Sequence, residues 1–442
     1  MFLPILVAIA SIIFFKGKHL LKYGSRVSIP AHLHGHKTFY YDSFIPEESG
    51  QQINAIIQEI QNFTTNVVAG AFSVNEDIGE GVELGPDGIC SNKYLIPNSN
   101  KTKCILPQRI DIGKHFIMTG GVDATREFHE NMVSRVSSFG VYMIDAIEQY
   151  PVVNDLFLSD SFQKVAKEVC PPNKQILDPF QFNFIIQIPG QTVALHLDAP
   201  YFWGASRFQL PQWLLVAMVF SNLFADRFID QVQIVGYLHD RIPEAGDGGD
   251  FVYYPDNSGY CNVPSFQLSA SAVDGSKVVH AATVYRPKFP GGIPIIDKDK
   301  SSKLRYDGNE EWSLLADEKV VRVYNSSDIR ISIVYRARCF RDRGEVAKYY
   351  EIIRDNNHPE TLSLDYVLNR FKLDLVNRGV VSDAQVQSMS RFQLAMLIMD
   401  KYISYPFPSE YTAVIPFNYC AAASLYPILQ TLLRPFCKSS QF

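Results

Sequence analysis

The chain has 442 residues, with 41 Lys and Arg against 46 Asp and Glu, and therefore a formal net charge of −5. At about 100–200 residues per domain, this length predicts two or three structural units. Hydrophobic residues make up 47% and charged residues 20%, which excludes a largely disordered chain. The near-neutral charge provides no basic surface, so we expect no nucleic-acid partner. Abundant Phe, Tyr, Gly and Pro favour a strand- and turn-rich core of mixed helix and sheet.

The first 15 residues are almost wholly apolar and end at Lys16-Gly17-Lys18. This run is shorter than the roughly 17–25 residues that span a membrane. Ala8-Ile9-Ala10 has the small-x-small form of a signal cleavage site, although no basic residues precede the run. We predict a signal peptide or signal anchor over residues 1–22, with a buried N-terminal helix as the alternative. The expected location is the lumen of the endoplasmic reticulum or Golgi, or the extracellular space, with cleavage and membrane anchoring both left open.

The cysteines and sequons are compatible with that location. Seven Cys are too few for a disulfide-built scaffold or a zinc cluster, and no CxxC occurs. Cys90 and Cys104 bracket a polar loop and can pair, with free cysteines as the alternative, and the odd count leaves at least one thiol free. Asn62, Asn100 and Asn325 begin glycosylation sequons, which suits a lumenal glycoprotein, although about three are expected by chance.

The first part of the chain is predicted to be helical support joined by loops. Apolar residues at helical spacing predict helices over 45–63, 123–150 and 154–169. Residues 70–112 are rich in Gly, Asn and Pro and show little periodicity, which predicts a long surface loop.

From residue 180 the pattern changes to short apolar runs between turn signals. Strands are predicted over 182–188, 192–198, 212–220, 231–238, 250–254, 266–273, 277–284 and 328–340. Many short strands at close spacing favour a sandwich or barrel over a doubly wound parallel sheet. Residues 286–327, rich in Pro, Gly and charge, are predicted to be an insertion.

The C-terminal part returns to a helical pattern. Helices are predicted over 361–378 and 382–402. Residues 419–436 are apolar but contain two prolines, which favours packed protein over a membrane span. We therefore predict a helical domain over 346–442, which offers a surface for oligomerisation.

The sharpest chemical pattern lies in the second predicted strand. His196 and Asp198 share one face there, because residues i and i+2 of a strand point the same way. His280 lies on a later strand. Two His and one carboxylate on the strands of one barrel can bind one face of Fe(II), leaving other positions open. The alternatives are a strand histidine hydrogen-bonded to a carboxylate and a buried neutral histidine.

The last predicted strand carries a candidate anion site. Arg330 and Ser332 again show period two, so a guanidinium can hold a carboxylate bidentately with a hydroxyl beside it. The alternative role for Arg330 is a structural ion pair. Arg286 is the second candidate, although it precedes a proline and lacks a partner serine.

Taken in order, these residues resemble the Fe(II)- and 2-oxoglutarate-dependent dioxygenases, nearest the prolyl and lysyl hydroxylase-like branch. The matching motifs are Pro189-Gly190-Gln191 before His196-Leu197-Asp198, Tyr237-Leu238-His239-Asp240 before Gly248-Gly249-Asp250-Phe251, His280, and Arg330-x-Ser332. The resemblance covers roughly residues 180–340. It implies an α+β fold with a double-stranded β-helix (jelly-roll) core over 180–340, inside a dioxygenase-like domain over 38–345.

The resemblance also implies the site residues and co-substrates. His196, Asp198 and His280 would hold Fe(II), while Arg330 and Ser332 would hold the far carboxylate of 2-oxoglutarate, with O₂ as the oxidant and ascorbate as a candidate reductant. Gln187 stands where prolyl hydroxylase-like members often carry a tyrosine, and its amide can donate a hydrogen bond. The separation of His280 from Arg330 is far longer than usual in the family, so the insertion has to loop out of the barrel.

The implied activity is hydroxylation of an unactivated C–H bond, on a protein or peptide side chain in the secretory pathway. The presence of the carboxylate of Asp198 argues against a halogenase-type site. Two alternatives stay open: an oxygenase acting on a lipid or small metabolite, and a catalytically silent jelly-roll binding or scaffold protein.

Several other residues have ordinary roles that compete with chemical ones. His32, His34 and His36 can bind a metal at alternate positions, but a surface histidine cluster is favoured. His239 is interpreted as strand-end structure.

Tyr201 and Trp203 follow the metal strand closely, and they belong either to core packing or to the mouth of a substrate pocket. Arg336, Arg338 and Arg341 are interpreted as paired or solvated.

Overall fold

The computed structural model describes residues 28–66, 78, 82–92, 94–98, 100–129, 131–239, 244, 246–297, 300–355, 357–407, 418–425 and 427–437. The predicted signal segment over 1–22 lies outside these residues. Within them, no helix combines the length and the apolar character needed to cross a membrane.

The described chain mixes helices and antiparallel strands. The helices are α1 (Glu47–Ile60), α2 (Ile110–Thr119), α3 (Asn131–Val136), α4 (Pro151–Leu158), α5 (Asp160–Val169), α6 (Gln212–Ser221), α7 (Arg343–Arg354), α8 (Leu364–Asn377), α9 (Asp383–Ser388), α10 (Arg391–Tyr402), α11 (Tyr419–Leu425) and α12 (Pro427–Leu433). The strands are β1 (Thr38–Tyr41), β2 (Asn62–Asn66), β3 (Val82–Glu83), β4 (Ile96–Pro97), β5 (Lys103–Ile105), β6 (Ser138–Tyr142), β7 (Ile176–Gln187), β8 (Val193–His196), β9 (Tyr201–Phe202), β10 (Phe228–Ile229), β11 (Gln231–Tyr237), β12 (Phe251–Tyr254), β13 (Cys261–Val263), β14 (Ala270–Val273), β15 (Val279–Ala282), β16 (Ser302–Gly308), β17 (Glu311–Ala316), β18 (Lys319–Asn325) and β19 (Arg330–Phe340).

Two antiparallel sheets form the barrel. The large sheet has ten strands in the order β1-β14-β11-β19-β7-β6-β2-β16-β17-β18, and the small sheet has four in the order β13-β12-β15-β8. Along the chain, β7, β11, β14 and β19 of the large sheet are interleaved with β8, β12, β13 and β15 of the small sheet. This interleaving of eight strands between two sheets is a jelly roll. The α+β class and the jelly-roll core are thus as predicted.

The two faces of the large sheet have opposite character. Phe182 and Phe184 of β7 and Ile331 and Ile333 of β19 belong to one buried apolar cluster on the outer face. Helices α4 and α5 contribute to the same cluster, so the predicted N-terminal helices cover this face. Because side chains alternate along a strand, the positions between these residues face the barrel interior, and there they are polar.

The outer face of the small sheet is covered by helices from two parts of the chain. Leu195 and Val279 of the sheet, Trp213 of α6, Phe371 of α8 and Leu394 of α10 belong to one buried cluster. The C-terminal helices therefore share a core with the barrel. The prediction of a separate C-terminal helical domain is not confirmed.

The predicted strand over 212–220 is wrong, because this segment is helix α6. The apolar run has neither a helical nor a strand period, since all residues from Trp213 to Phe220 are buried. Burial on all sides removes the pattern by which a helix and a strand are distinguished. Pro211 before the first turn and Asn222 in the left-handed conformation after the last turn bound the helix.

The predicted helix over 123–150 is also wrong in its middle. It divides into α3, β6 and a short 3-10 helix over Ile144–Gln149. Strand β6 inserts between β2 and β7. Gly140 permits this close pairing, because a Cβ there would lie 2.4 Å from the carbonyl oxygen of Phe184. Sheet pairing thus overrides the local helical pattern.

The region predicted as a loop over 70–112 is only partly described, and its described part contains structure. Strands β3, β5 and β4 form a separate three-stranded sheet, and helix α2 begins at Ile110. The predicted insertion over 286–327 leaves the barrel and contains β16, β17 and β18. These strands extend the large sheet beyond β2, so the segment is built structure and not a loose loop.

Six cysteines form three disulfides, and Cys261 is free. The pairs are Cys90–Cys104, which is one of the two alternatives that the sequence left open, Cys170–Cys339 and Cys420–Cys437. Cys170–Cys339 joins the end of α5 to β19, which ties a covering helix to the central strand of the barrel.

Candidate active site

The two histidines face each other across the small sheet. His280 on β15 is the register partner of His196 on β8, and their ring centroids lie 4.2 Å apart. Each Nδ1 lies 2.8 Å from the carbonyl oxygen of the residue two positions before it, Ala194 for His196 and Val278 for His280. A carbonyl can only accept, so each Nδ1 carries a proton, and in the neutral imidazole the lone pair is then on Nε2. Both Nε2 atoms are therefore available to a metal.

Asp198 completes the set just beyond the end of β8. Its Oδ1 lies 3.4 Å from Nε2 of His196 and 4.0 Å from Nε2 of His280. Candidate ligand atoms of the three residues all lie within 4.8 Å of one another, and among the described residues they are the group that can hold a metal. Distances of this size let one ion reach all three atoms at bond lengths of about 2–2.5 Å.

The turn between β14 and β15 holds the carboxylate in place. The Asp198 N–H donates to the carbonyl oxygen of Gly275 at 2.8 Å. A Cβ at position 275 would lie 2.0 Å from Oδ2 of Asp198 and 3.1 Å from Cε1 of His280. Glycine is thus the residue that lets the turn approach the candidate ligands.

The charges around this group suit a divalent cation. Burial, helped by neighbouring His196, lowers the pKa of His280 to about 3, so its imidazole is neutral near neutral pH. Burial alone would raise the pKa of Asp198, but the guanidinium of Arg336 and the two histidines outweigh it and hold that pKa below its usual range. Two neutral imidazoles and one ionised carboxylate are the protonation states that metal binding requires.

A buried cation lies at the first residue of β19, on the inner side of the large sheet. Arg330 is 4% exposed, and its Nη1 donates to Oε1 of Gln187 at 2.7 Å and to Oγ of Ser332 at 3.1 Å. Its guanidinium carbon lies 5.1 Å from the ring centre of Tyr237. Within the described residues no carboxylate forms an ion pair with Arg330, and burial lowers its pKa.

Two N–H donors, one in this guanidinium and one beside it, lack hydrogen-bond partners in the described structure. They are Nε of Arg330 and the amide Nε2 of Gln187, both buried. A buried cation with unused donors is costly unless an anion completes it. The structure brings the predicted group of Arg330, Ser332 and Gln187 together. Its unused donors fit a carboxylate.

The Gly248-Gly249 motif closes over this end of the site. A Cβ at Gly249 would lie 3.0 Å from Cδ of Arg330, and one at Gly248 would lie 2.0 Å from the carbonyl oxygen of Val284. Both glycines have positive φ. Arg286, the second candidate, forms an ion pair with Asp328, so it is already neutralised.

Four other histidines that the sequence analysis considered have structural partners. A backbone carbonyl oxygen lies within 3.1 Å of Nε2 in each of His32, His34 and His36. These contacts give no support to the alternative of a metal bound at these residues. His239 is buried with Nε2 at 2.9 Å from the carbonyl oxygen of Ser265, as expected for a structural residue.

Tyr201 and Trp203 lie in an aromatic cluster. Tyr201 packs at 4.8 Å from Phe180 between ring centroids, and Trp203 packs at 5.8 Å from Phe340. Helix α7 supplies Tyr349 to the same cluster. These contacts are those of core packing, which is one of the two roles that the sequence left open.

Four functional contacts were not anticipated. Arg336, read from the sequence as paired or solvated, is paired, and its partner is the candidate ligand Asp198. Arg109 and Tyr405 form hydrogen bonds with the backbone of Leu197, between His196 and Asp198, and Asp111 accepts from both of them. Arg336 has a sequence signal, because it shares the strand face of Arg330 by even spacing. Arg109, Asp111 and Tyr405 have none, because their proximity arises only in the folded chain.

The chain has low similarity to several solved oxygenase structures. No family model and no curated protein matches the chain. A prolyl hydroxylase from Trichoplax adhaerens, solved with a hypoxia inducible factor peptide fragment, is 10% identical, with 76% of this chain and 94% of that chain covered and a TM-score of 0.31. A Pseudomonas putida prolyl-4-hydroxylase is 12% identical, with 69% and 92% covered and a TM-score of 0.29.

A third structure, an oxidoreductase of the 2OG-Fe(II) oxygenase family from Burkholderia pseudomallei, is 9% identical, with 47% and 67% covered and a TM-score of 0.26. These proteins are oxygenases of the kind that the sequence motifs resemble, prolyl hydroxylases included. At such low identities and TM-scores, neither the fold nor the activity of this chain is inferred from them. The jelly roll stands on its strand order and the chemistry on its side chains.

Proposed function

We propose that this protein is an Fe(II)- and 2-oxoglutarate-dependent oxygenase that hydroxylates an unactivated C–H bond. One observation supports this most strongly. A largely buried His-Asp-His group lies on the small sheet, and on the large sheet lies a buried arginine that has no carboxylate partner among the described residues. A divalent cation satisfies the first, and a dicarboxylate that reaches from the cation to the arginine satisfies the second.

The protein residues have distinct roles in this proposal. His196 and His280 would hold Fe(II) through Nε2, and Asp198 through Oδ1. Backbone carbonyls accept from Nδ1 of both imidazoles, which favours the neutral tautomer whose Nε2 can ligate. Bound Fe(II) and 2-oxoglutarate supply the O₂-dependent oxidation that hydroxylates the substrate and yields succinate and CO₂.

Arg330 would bind the far carboxylate of 2-oxoglutarate. Ser332 and Gln187 already hold one side of the guanidinium, which leaves Nε of Arg330 and Nε2 of Gln187 to donate to the ligand. Low exposure keeps water out, so these hydrogen bonds form in a low dielectric and are strong. Ascorbate is proposed as the reductant that maintains Fe(II).

The decisive experiment measures succinate formed from 2-oxoglutarate by purified protein with Fe(II), O₂ and ascorbate. We expect turnover in the wild type, its loss in His196→Ala, and its retention in His36→Ala, a matched removal of a half-buried histidine outside the site. A folded wild-type protein that binds neither Fe(II) nor 2-oxoglutarate would falsify the proposal. It would then support the alternative of a silent jelly-roll scaffold.

We propose a protein or peptide side chain as the substrate and the secretory pathway as the location. Three disulfides suit an oxidising compartment, and Asn62, Asn100 and Asn325 are all exposed, as glycosylation requires. The prolyl and lysyl hydroxylase-like motifs point to a side-chain substrate. Membrane anchoring and oligomerisation through the C-terminal helices remain predictions.

These finer points have their own tests. Mass spectrometry of secretory-pathway proteins from cells with wild-type protein or His196→Ala should reveal a peptide that gains one oxygen only with the wild type. A change confined to lipids or small metabolites would move the substrate to that class. An expressed protein that lacks N-glycans and stays in the cytosol would contradict the location.

A further inference from the structure

A buried network of three side chains holds the backbone between two of the candidate metal ligands. Leu197 lies between His196 and Asp198, and it follows the last residue of β8. Its carbonyl oxygen accepts from Nη1 and Nη2 of Arg109 at 3.1 and 3.2 Å. Its N–H donates to the hydroxyl of Tyr405 at 3.4 Å. Both polar groups of this residue are thus held from outside the sheet.

Asp111 joins the two holding groups to each other. Nε and Nη2 of Arg109 donate to the two carboxylate oxygens of Asp111 at 3.1 and 3.0 Å, and the hydroxyl of Tyr405 donates to Oδ2 at 2.8 Å. The side chain of Asp111 is fully buried. Hydrogen bonds to a buried carboxylate fix the position of their donors, because breaking any one leaves a charge unsatisfied.

The network draws on two distant parts of the chain. Arg109 directly precedes α2, and Tyr405 follows α10 in the C-terminal part. The hydroxyl of Tyr405 and the N–H of Leu197 are 208 positions apart in sequence. A strand of the small sheet could in principle be held by its neighbours alone. Here the segment leaves β8 after His196, so the network takes over where the sheet ladder ends.

We propose that Arg109, Asp111 and Tyr405 are positioning residues that set the spacing of His196 and Asp198 and thereby the affinity of the metal site. The proposal rests on the proposed function, since it assigns these residues to the same metal centre. It makes the C-terminal part of the chain a component of that centre. Second-layer groups of this kind typically change metal affinity by about 10–100-fold.

The chain offers a matched pair of substitutions to test this. Tyr405→Phe removes the hydroxyl that bridges Asp111 and Leu197. Tyr402→Phe, three residues earlier, removes a hydroxyl that donates to Asp374 at 2.5 Å, on helix α8. Both variants lose one hydrogen bond to a carboxylate, which is buried at Tyr405 and part-buried at Tyr402, but only the first loses a contact with the backbone between His196 and Asp198.

The measurements are the Co²⁺ dissociation constant, the visible absorption of the Co²⁺-loaded protein and the thermal midpoint of the metal-free protein. We expect Tyr405→Phe to weaken Co²⁺ binding about tenfold and to shift the absorption bands. We expect Tyr402→Phe to keep the affinity within twofold and the spectrum unchanged, with a similar fall in thermal midpoint. Arg109→Lys keeps the charge but loses the forked geometry of the guanidinium. We expect its Co²⁺ affinity to lie between that of the wild type and that of Tyr405→Phe.

The outcomes separate this inference from the proposed function. Equal Co²⁺ affinity and spectrum in the wild type, Tyr405→Phe and Tyr402→Phe would overturn the positioning role and leave the oxygenase proposal intact. A wild-type protein that binds Co²⁺ normally but not 2-oxoglutarate would overturn the oxygenase proposal alone. A wild type that binds no divalent metal would overturn both.

Discussion

Strand β19 carries two buried arginines near its opposite ends, and their surroundings differ. Arg330 and Arg338 are both 4% exposed. Arg338 pairs with Asp178 at 2.7 Å and lies against the rings of Phe180, Tyr201 and Tyr349 at 4.5–5.0 Å. Arg330 has amide, hydroxyl and aromatic neighbours, and among the described residues no carboxylate pairs with it.

The difference shows how a structural charge is distinguished from a binding charge. A buried guanidinium with its own carboxylate and aromatic contacts is complete, so removing it costs stability. One without a carboxylate destabilises the folded state and is retained for a ligand that completes it. The two ends of one strand thus predict opposite effects for the same substitution.

The largest expected effect is on stability, at Arg338, the arginine that already has a carboxylate partner. Arg338→Met leaves the carboxylate of Asp178, whose side chain is 11% exposed, with Tyr350 as its remaining donor among the described residues, so we expect the free energy of unfolding to fall by about 3–5 kcal/mol. Urea unfolding of the metal-free protein measures this. Unchanged stability in Arg338→Met would remove the basis of the comparison.

The second effect is on binding, at the incomplete end. Arg330→Met removes charge-assisted hydrogen bonds to the far carboxylate, so we expect 2-oxoglutarate affinity to fall about 100-fold. Metal-free stability should stay equal or rise, because an uncompensated buried charge is lost. Calorimetric titration with 2-oxoglutarate in the presence of Co²⁺ measures the affinity, with Arg338→Lys as the control for a cation change elsewhere on the strand. Full affinity in Arg330→Met would show that the ligand anion lies elsewhere.

The third effect tests the other side of the barrel, where the metal ligands lie. Gly275→Ala places a Cβ against Oδ2 of Asp198, so we expect about tenfold weaker Co²⁺ binding with little change in the secondary structure. Gly113→Ala in α2 is the control, because its Cβ would meet only Sδ of Met132, at 3.9 Å. If the two variants bind Co²⁺ equally well, the turn at Gly275 does not constrain the carboxylate.

The smallest effect concerns pH and a half-buried histidine outside the metal group. Burial lowers the pKa of His115 from 6.5 to about 4. The unfolded chain therefore binds one more proton at this residue between these values, and stability falls as pH falls through that window. The loss approaches about 1.4 kcal/mol per pH unit.

His115→Phe should flatten this dependence by about one proton while keeping the ring contact with Tyr405, which lies 5.5 Å away between centroids. Urea midpoints at pH 7, 6 and 5 measure the slope. Identical slopes in the wild type and the variant would mean that His115 titrates normally in the folded protein.

The residues of the proposed chemistry were largely predictable because strands impose period two. That period put His196 beside Asp198 and Arg330 beside Ser332, and the order of the motifs placed His280 with them. The long separation of His280 from Arg330 was accommodated because β16, β17 and β18 leave the barrel and extend the sheet beyond β2. Gln187 and Arg330 then meet as register partners on β7 and β19.

Other features were not predictable from local pattern. The run at 212–220 is apolar on every side, so it carries no period, and its burial between the small sheet and the C-terminal helices decides that it is helix α6. The role of Arg336 needed the opposite sheet to bring Asp198 to it. The packing role of Tyr201 was likewise decided by the fold, because its neighbours come from β19 and α7.

Strand periodicity and turn chemistry are local properties of the chain, so the sequence by itself predicted a sandwich or barrel of short strands and paired His196 with Asp198 and Arg330 with Ser332. The jelly-roll class and the grouping of His280 and Gln187 with those pairs came from the family resemblance of the ordered motifs. Only the tertiary structure decided which buried cation has no carboxylate partner among the described residues and which side chains hold Leu197. Those facts depend on contacts such as Tyr405 with Leu197, which join parts of the chain far apart in sequence. No local pattern records such a contact, because it exists only after the C-terminal helices pack against the small sheet.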